Sequence, residues 1–104
     1  VALNPSPSLK EINSLLASNE GAIKEFMRQI CAIPSVDGQI TEVAGRIEQE
    51  LLRLGYDDVH YDDMGCLLGR LGEGSKKLLY DAHLDTVGIG EISDWAWDPF
   101  GGRL

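Results

Sequence analysis

The sequence predicts an α/β fold, and three observations carry that expectation. Apolar residues recur at helical spacing through the first half of the chain. Short apolar runs bounded by Gly and Asp follow after about residue 58. The last of these, Leu78-Leu79-Tyr80, is nearly continuous rather than alternating, as expected of a strand covered on both faces. Helices that precede strands and pack on a sheet make an α/β layer. The 104 residues amount to one small domain, and 43% apolar content suffices for a core.

The first residues, through Ser8, are rich in Pro and Ser and read as a loose arm. Ser8-Leu9-Lys10-Glu11 has the S-x-x-E form of a capping box, in which hydroxyl and carboxylate satisfy first-turn amides reciprocally. Ile12, Leu15 and Leu16 then predict a short helix to about Ala17. Asn19 is placed to cap a second helix, with Ile23, Phe26, Met27 and Ile30 on one stripe. Pro34 ends it, because the residue before a proline is pushed out of the α region. Ser35-Val36-Asp37-Gly38 is turn chemistry. Thr41 is a fair N-cap for the next helix, with Glu42 favourable in its first turn. Val43, Ile47, Leu51 and Leu54 line one face, and Gly55 stands where a left-handed residue closes a helix. Three strands are expected at 59–61, 66–71 and 77–82, with Gly72-Glu73-Gly74-Ser75 as a hairpin loop joining the last two. After Val87 the chain becomes irregular, with no internal repeat or low-complexity tract.

Composition narrows the function classes. Lys+Arg 9 against Asp+Glu 17 gives a net charge of -8, which argues against nucleic acid and anionic membrane as partners, since both need a basic footprint. The charged fraction of 25% and the mean hydropathy of -0.11 are ordinary for a soluble globular chain. No apolar run approaches the ~20 residues of a membrane span. Val1-Ala2-Leu3-Asn4-Pro5 has neither the basic nor the apolar region of a leader, which with the acidic charge predicts a cytoplasmic protein. A start other than Met points to a processed or trimmed chain. Cys31 and Cys66 form no C-x-x-C pair and are expected to be buried thiols in a reducing compartment.

The strongest chemical feature is Asp81-Ala82-His83-Leu84-Asp85-Thr86-Val87, expected at the carboxyl end of a strand, where open α/β sheets place their ligand sites. In extended backbone His83 and Asp85 share a face. A neutral imidazole ligates zinc, and its second nitrogen is usually held by a carboxylate or carbonyl, a role open to Asp85. On spacing alone a structural His beside a turn-forming Asp is the commoner case. Residues 69–76 resemble a phosphate loop with its last two residues exchanged, but strand residues follow instead of the helix that such a loop feeds. Asp57, Asp58, Asp62 and Asp63 around His60 lack calcium-loop spacing and read as solvated turns. Trp95 and Trp97 are expected to anchor the loop on the core.

Leu79-Tyr80-Asp81-Ala82-His83-Leu84-Asp85-Thr86-Val87 and Trp95-Ala96-Trp97-Asp98-Pro99-Phe100-Gly101-Gly102 together resemble a known family. It is the dinuclear-zinc family of aminoacylase, carboxypeptidase G, succinyl-diaminopimelate desuccinylase and acetylornithine deacetylase. H-x-D-T-V and W-x-x-D-P-F elements occur in the family's order. Ile33-Pro34-Ser35-Val36, Leu54-Gly55-Tyr56-Asp57-Asp58-Val59 and Asp63-Met64-Gly65 agree upstream, so the likeness runs from about Ala22 onward. Within the family it is nearest the branch of peptidases or amidohydrolases associated with purine or selenium metabolism. Cys66 departs from the family pattern, which most often has Asn after the Gly.

The resemblance implies a three-layer αβα zinc-exopeptidase-like catalytic domain. Residues 1–18 would be the arm and short helix, and 19–104 the N-terminal portion of that domain. His83 would be a zinc ligand and Asp85 the active-site aspartate beside it. Two zinc ions are implied, with cobalt or manganese as replacements. The family's bridging aspartate, paired glutamates, further acidic ligand and late histidine find no counterpart before Leu104. The implied activity is therefore hydrolysis of amide bonds in small peptides or N-acyl amino acids by a longer protein, with these 104 residues inactive alone. A non-catalytic α/β interaction domain with a structural His83–Asp85 pair is the rival reading. A Leu-rich sheet edge would further favour a homo-oligomer.

Overall fold

The computed structural model describes residues 6–103. Residues 1–5, where the arm and the leader reading begin, and Leu104 lie outside the described residues. The first element, α1, is one helix over Leu9–Cys31. Its capping box forms as expected: Ser8 N donates to Glu11 Oε2 at 2.7 Å, and Glu11 N donates to Ser8 Oγ at 3.3 Å. The expected break near residue 18 is absent. Ser18 Oγ and Asn19 Nδ2 both donate back to the Leu15 carbonyl, at 2.9 and 2.8 Å, so these polar groups are satisfied inside the helix and cap nothing.

Pro34 lies beyond the end of α1, and the chain turns through Val36–Gln39. Gln39 N donates to Val36 O at 3.0 Å across two residues of positive φ, Asp37 at 52° and Gly38 at 79°. An Asp-Gly pair is well suited to such a turn because both tolerate this region. The second helix, α2, spans Thr41–Arg53. Its N-cap is Ile40 and makes no side-chain cap, so Thr41 begins the helix instead of capping it. Closure follows expectation. Gly55 adopts φ 79°, its N–H reaches Leu52 O at 3.1 Å, and Tyr56 N reaches Leu51 O at 3.1 Å.

Two strands follow, β1 (Asp58–Tyr61) and β2 (Leu67–Arg70), as an antiparallel hairpin pairing Asp58 with Arg70 and Tyr61 with Leu67. Asp62 shapes the connection, its Oδ1 accepting from Met64 N at 2.9 Å and Cys66 N at 2.8 Å. The face carrying Val59, Tyr61, Leu67 and Gly69 lies against α2, and α1 also packs on α2. The opposite sheet face, with Asp58, His60, Leu68 and Arg70, is covered by no helix among the described residues.

The structure is thus an α/β mixture with two of the three expected strands. Residues 77–82 form no ladder, and Leu78, Leu79 and Tyr80 are 77, 83 and 86% exposed. The hairpin loop therefore lies at 62–66, not at 72–75. A strand exists only where another backbone answers its donors and acceptors. β2 pairs with β1, and no strand among the described residues lies beside 77–82. The apolar core is small, with Val43 and Ala44 buried, together with the polar Ser35 and Glu50. No helix among the described residues is long and apolar enough to cross a membrane.

Candidate functional site

The H-x-D segment is placed by the turn after α1, not by a strand end. Thr86 N donates to the Ser35 carbonyl at 2.9 Å, and Val36 and Thr86 form an isolated parallel bridge. The hydroxyls of Ser35 and Thr86 stand 3.2 Å apart, within hydrogen-bond distance. Ser35 is only 1% exposed. A buried serine needs a partner for its hydroxyl, and here that partner is 51 residues away.

His83 and Asp85 come together three residues or fewer from this bridge. His83 Nδ1 lies 2.9 Å from the Asp85 carbonyl oxygen and 3.1 Å from Asp85 Oδ1. A carbonyl oxygen only accepts, so Nδ1 carries the hydrogen and Nε2 of the neutral ring keeps its lone pair. Both side chains are open to solvent, at 84 and 58% exposure, so the lone pair of Nε2 is accessible. An imidazole with one nitrogen tied to a carbonyl and carboxylate and the other free suits a metal ligand. Among the described residues no three His, Cys, Asp or Glu side chains gather to hold a metal ion. His83 and Asp85 can thus contribute one oriented ligand but do not enclose an ion by themselves.

The second motif folds back on α1. Asp98 makes a tight turn, its Oδ1 accepting from Phe100 N at 2.9 Å and its carbonyl from Gly101 N at 3.0 Å. Gly102 O then accepts from Arg28 Nε at 2.7 Å. Trp95 Nε1 donates to Ile89 O at 2.8 Å and meets Trp97 edge to face at 6.2 Å. The two indoles, 39 and 49% exposed, brace their own loop and each other, not the core as expected.

The remaining candidates serve local structure. Asp62 holds the hairpin loop, Asp57 Oδ2 accepts from Gly72 N at 2.6 Å, and Asp58 Oδ2 lies 3.1 Å from His60 Nδ1 across one residue of β1. No helix follows residues 69–76, so they form no phosphate loop. Cys31 and Cys66 are free thiols, but both are exposed, contrary to the expected burial. Sequence reasoning missed the Ser35–Thr86 contact. No local pattern announces it, because it joins positions that only the fold brings together.

Comparison with known proteins finds similarity to an uncharacterized protein and to succinyl-diaminopimelate desuccinylases. The uncharacterized protein YgeY of Escherichia coli is 44% identical over 77 residues, covering 74% of this chain and 19% of that protein. Succinyl-diaminopimelate desuccinylase of Beijerinckia indica is 29% identical over 87 residues, covering 77% of this chain and 23% of the enzyme. That of Shewanella loihica is 28% identical over 81 residues, 76% of this chain and 22% of the enzyme. Over these stretches the chain is similar to the succinyl-diaminopimelate desuccinylases. It spans about a fifth of the length of the curated relatives it matches. No protein-family model matches it, and no solved structure does.

Proposed function

We propose that residues 19–104 form the N-terminal portion of a three-layer αβα catalytic domain in a zinc-dependent amide hydrolase, acting on small peptides or N-acyl amino acids. The observation that carries this reading is the His83 ring. Asp85 fixes its tautomer through a carbonyl and a carboxylate, and Nε2 is left free and accessible. The likeness to desuccinylases supports the substrate class.

His83 would hold zinc through Nε2, while Asp85 orients the ring. When bound, zinc supplies a Lewis acid that polarises the amide carbonyl and acidifies water at neutral pH. The other ligands and the general base would come from outside this segment.

The test is zinc stoichiometry and hydrolysis of N-succinyl and N-acetyl amino acids by the full-length protein. His83→Ala is expected to lower the rate by more than roughly 100-fold, beyond the range for outer-shell partners. It should also lose at least one zinc. Asp85→Ala should lower the rate by about 10- to 100-fold. Unchanged metal content and activity in His83→Ala would overturn the reading in favour of an interaction domain.

A further inference from the structure

The geometry points to Ser35 as a positioning residue for the metal-ligand histidine, an inference that rests on the reading of His83 above. The Asp85 carbonyl and the Thr86 N–H belong to one peptide plane, and in a trans peptide they point in opposite directions. On one side that plane accepts from His83 Nδ1 at 2.9 Å. On the other it donates to the Ser35 carbonyl at 2.9 Å. Rotation of the plane would break both bonds together. The orientation of the imidazole, and with it the direction of the Nε2 lone pair, is therefore set from the turn that follows α1.

The Ser35–Thr86 hydroxyl pair, 3.2 Å apart, is a second tie across the same junction. Ser35 is 1% exposed, so water has little access to replace a lost partner. The turn behind it holds Val36 in place through the Gln39 N–H at 3.0 Å, and Val36 forms the bridge to Thr86. By contrast, His83 and Asp85 are both open to solvent, and among the described residues Asp85 alone hydrogen-bonds the ring. A solvent-exposed ligand whose acceptor is a backbone carbonyl needs that backbone to be rigid. Ser35 supplies the rigidity through its bonds to Thr86.

The experiment uses the full-length protein with Ser35→Ala, Thr86→Val, Thr86→Ser and His83→Ala. Zinc affinity is measured against a competing chelator, the fold by circular dichroism, and the His83 tautomer by nitrogen NMR of the metal-free protein. Ser35→Ala and Thr86→Val should each weaken zinc binding about 10-fold, the low end for groups that orient ligands. Both should raise the share of the other tautomer. Thr86→Ser, which keeps the hydroxyl, should restore both readouts. The double variant should lose no more than either single one, because both break the same tie. If Ser35→Ala fails to fold, the Thr86→Val and Thr86→Ser pair decides alone. Folded Thr86→Val with unchanged zinc affinity and tautomer overturns the inference, while loss of zinc in His83→Ala would leave the underlying reading standing. Unchanged zinc binding in His83→Ala would overturn both.

Discussion

Gly69 shows how closely single residues govern the packing in this structure. It pairs with Val59 in the hairpin, on the face that meets α2. A Cβ at this position would stand 3.0 Å from Leu51 Cδ1 and 3.0 Å from Tyr56 Cδ1, with Tyr56 Cε1 at 3.2 Å. The leucine terminus can rotate away, but the aromatic ring is rigid and held by the closure of α2. Gly69→Ala is therefore expected to destabilise the fold by about 1–3 kcal/mol, the usual cost of overpacking. A thermal melt of the full-length protein checks this, and an unchanged midpoint would show that the ring is free to move. His83 stands at the other extreme. Spacing alone favours a structural histidine and the family resemblance implies a ligand, yet only the distance to the Asp85 carbonyl decides which nitrogen is available.

At the scale of elements, α1 and α2 are joined by a polar network as much as by apolar contact. Arg46 Nε donates to Gln29 Oε1 at 2.9 Å, and its guanidinium lies 4.9 Å from the Phe26 ring centre. Glu50, buried, accepts from Arg53 Nε and from Arg46 NH2, each at 3.1 Å. The Arg53 hydrogen bonds, opposed by desolvation and helped by Arg46, pull the Glu50 carboxyl from 4.5 down to about 2. A carboxyl depressed in the folded state contributes stability that is fully present above its ordinary value. That contribution is lost as pH falls from about 4.5 through about 2. The melting temperature should therefore drop across that window, and Glu50→Gln should flatten the drop. An equal acid response in the two proteins would place the responsible group elsewhere.

For the molecule as a whole, burial is the deciding quantity. The accessible surface is 9037 Å², where a compact monomer of this mass exposes about 5,800 Å². The radius of gyration is 17.2 Å against about 13 Å for a compact chain of this length. Large apolar side chains are exposed, including Leu71, Leu78, Leu79 and Tyr80 beside a groove of about 1070 Å³. Such an extended apolar segment offers both side chains and unpaired backbone groups to another chain. The 104-residue chain on its own should accordingly self-associate. In sedimentation velocity its average mass should rise with concentration, and Leu79→Lys should suppress the rise. A concentration-independent monomer would overturn this.

Local chemistry was legible in the sequence wherever its partners lie within a few residues. The Ser8–Glu11 box, the Gly55 closure of α2, the turn at Asp37-Gly38 and the His83–Asp85 pair all depend on short-range geometry, and residue type and spacing determine them. The division of α1 was misread because Ser18 and Asn19 have two local options, and the helix carbonyl of Leu15 won. Two outcomes belonged to tertiary structure alone. Residues 77–82 have strand composition but acquire no ladder, since a ladder needs a second backbone that spacing cannot supply. Ser35 and Thr86 meet across 51 residues. The sequence by itself determined that an imidazole and a carboxylate stand two residues apart in one short segment. The tertiary structure decided how that imidazole is aimed, because the peptide plane that holds its ring is anchored from another part of the fold.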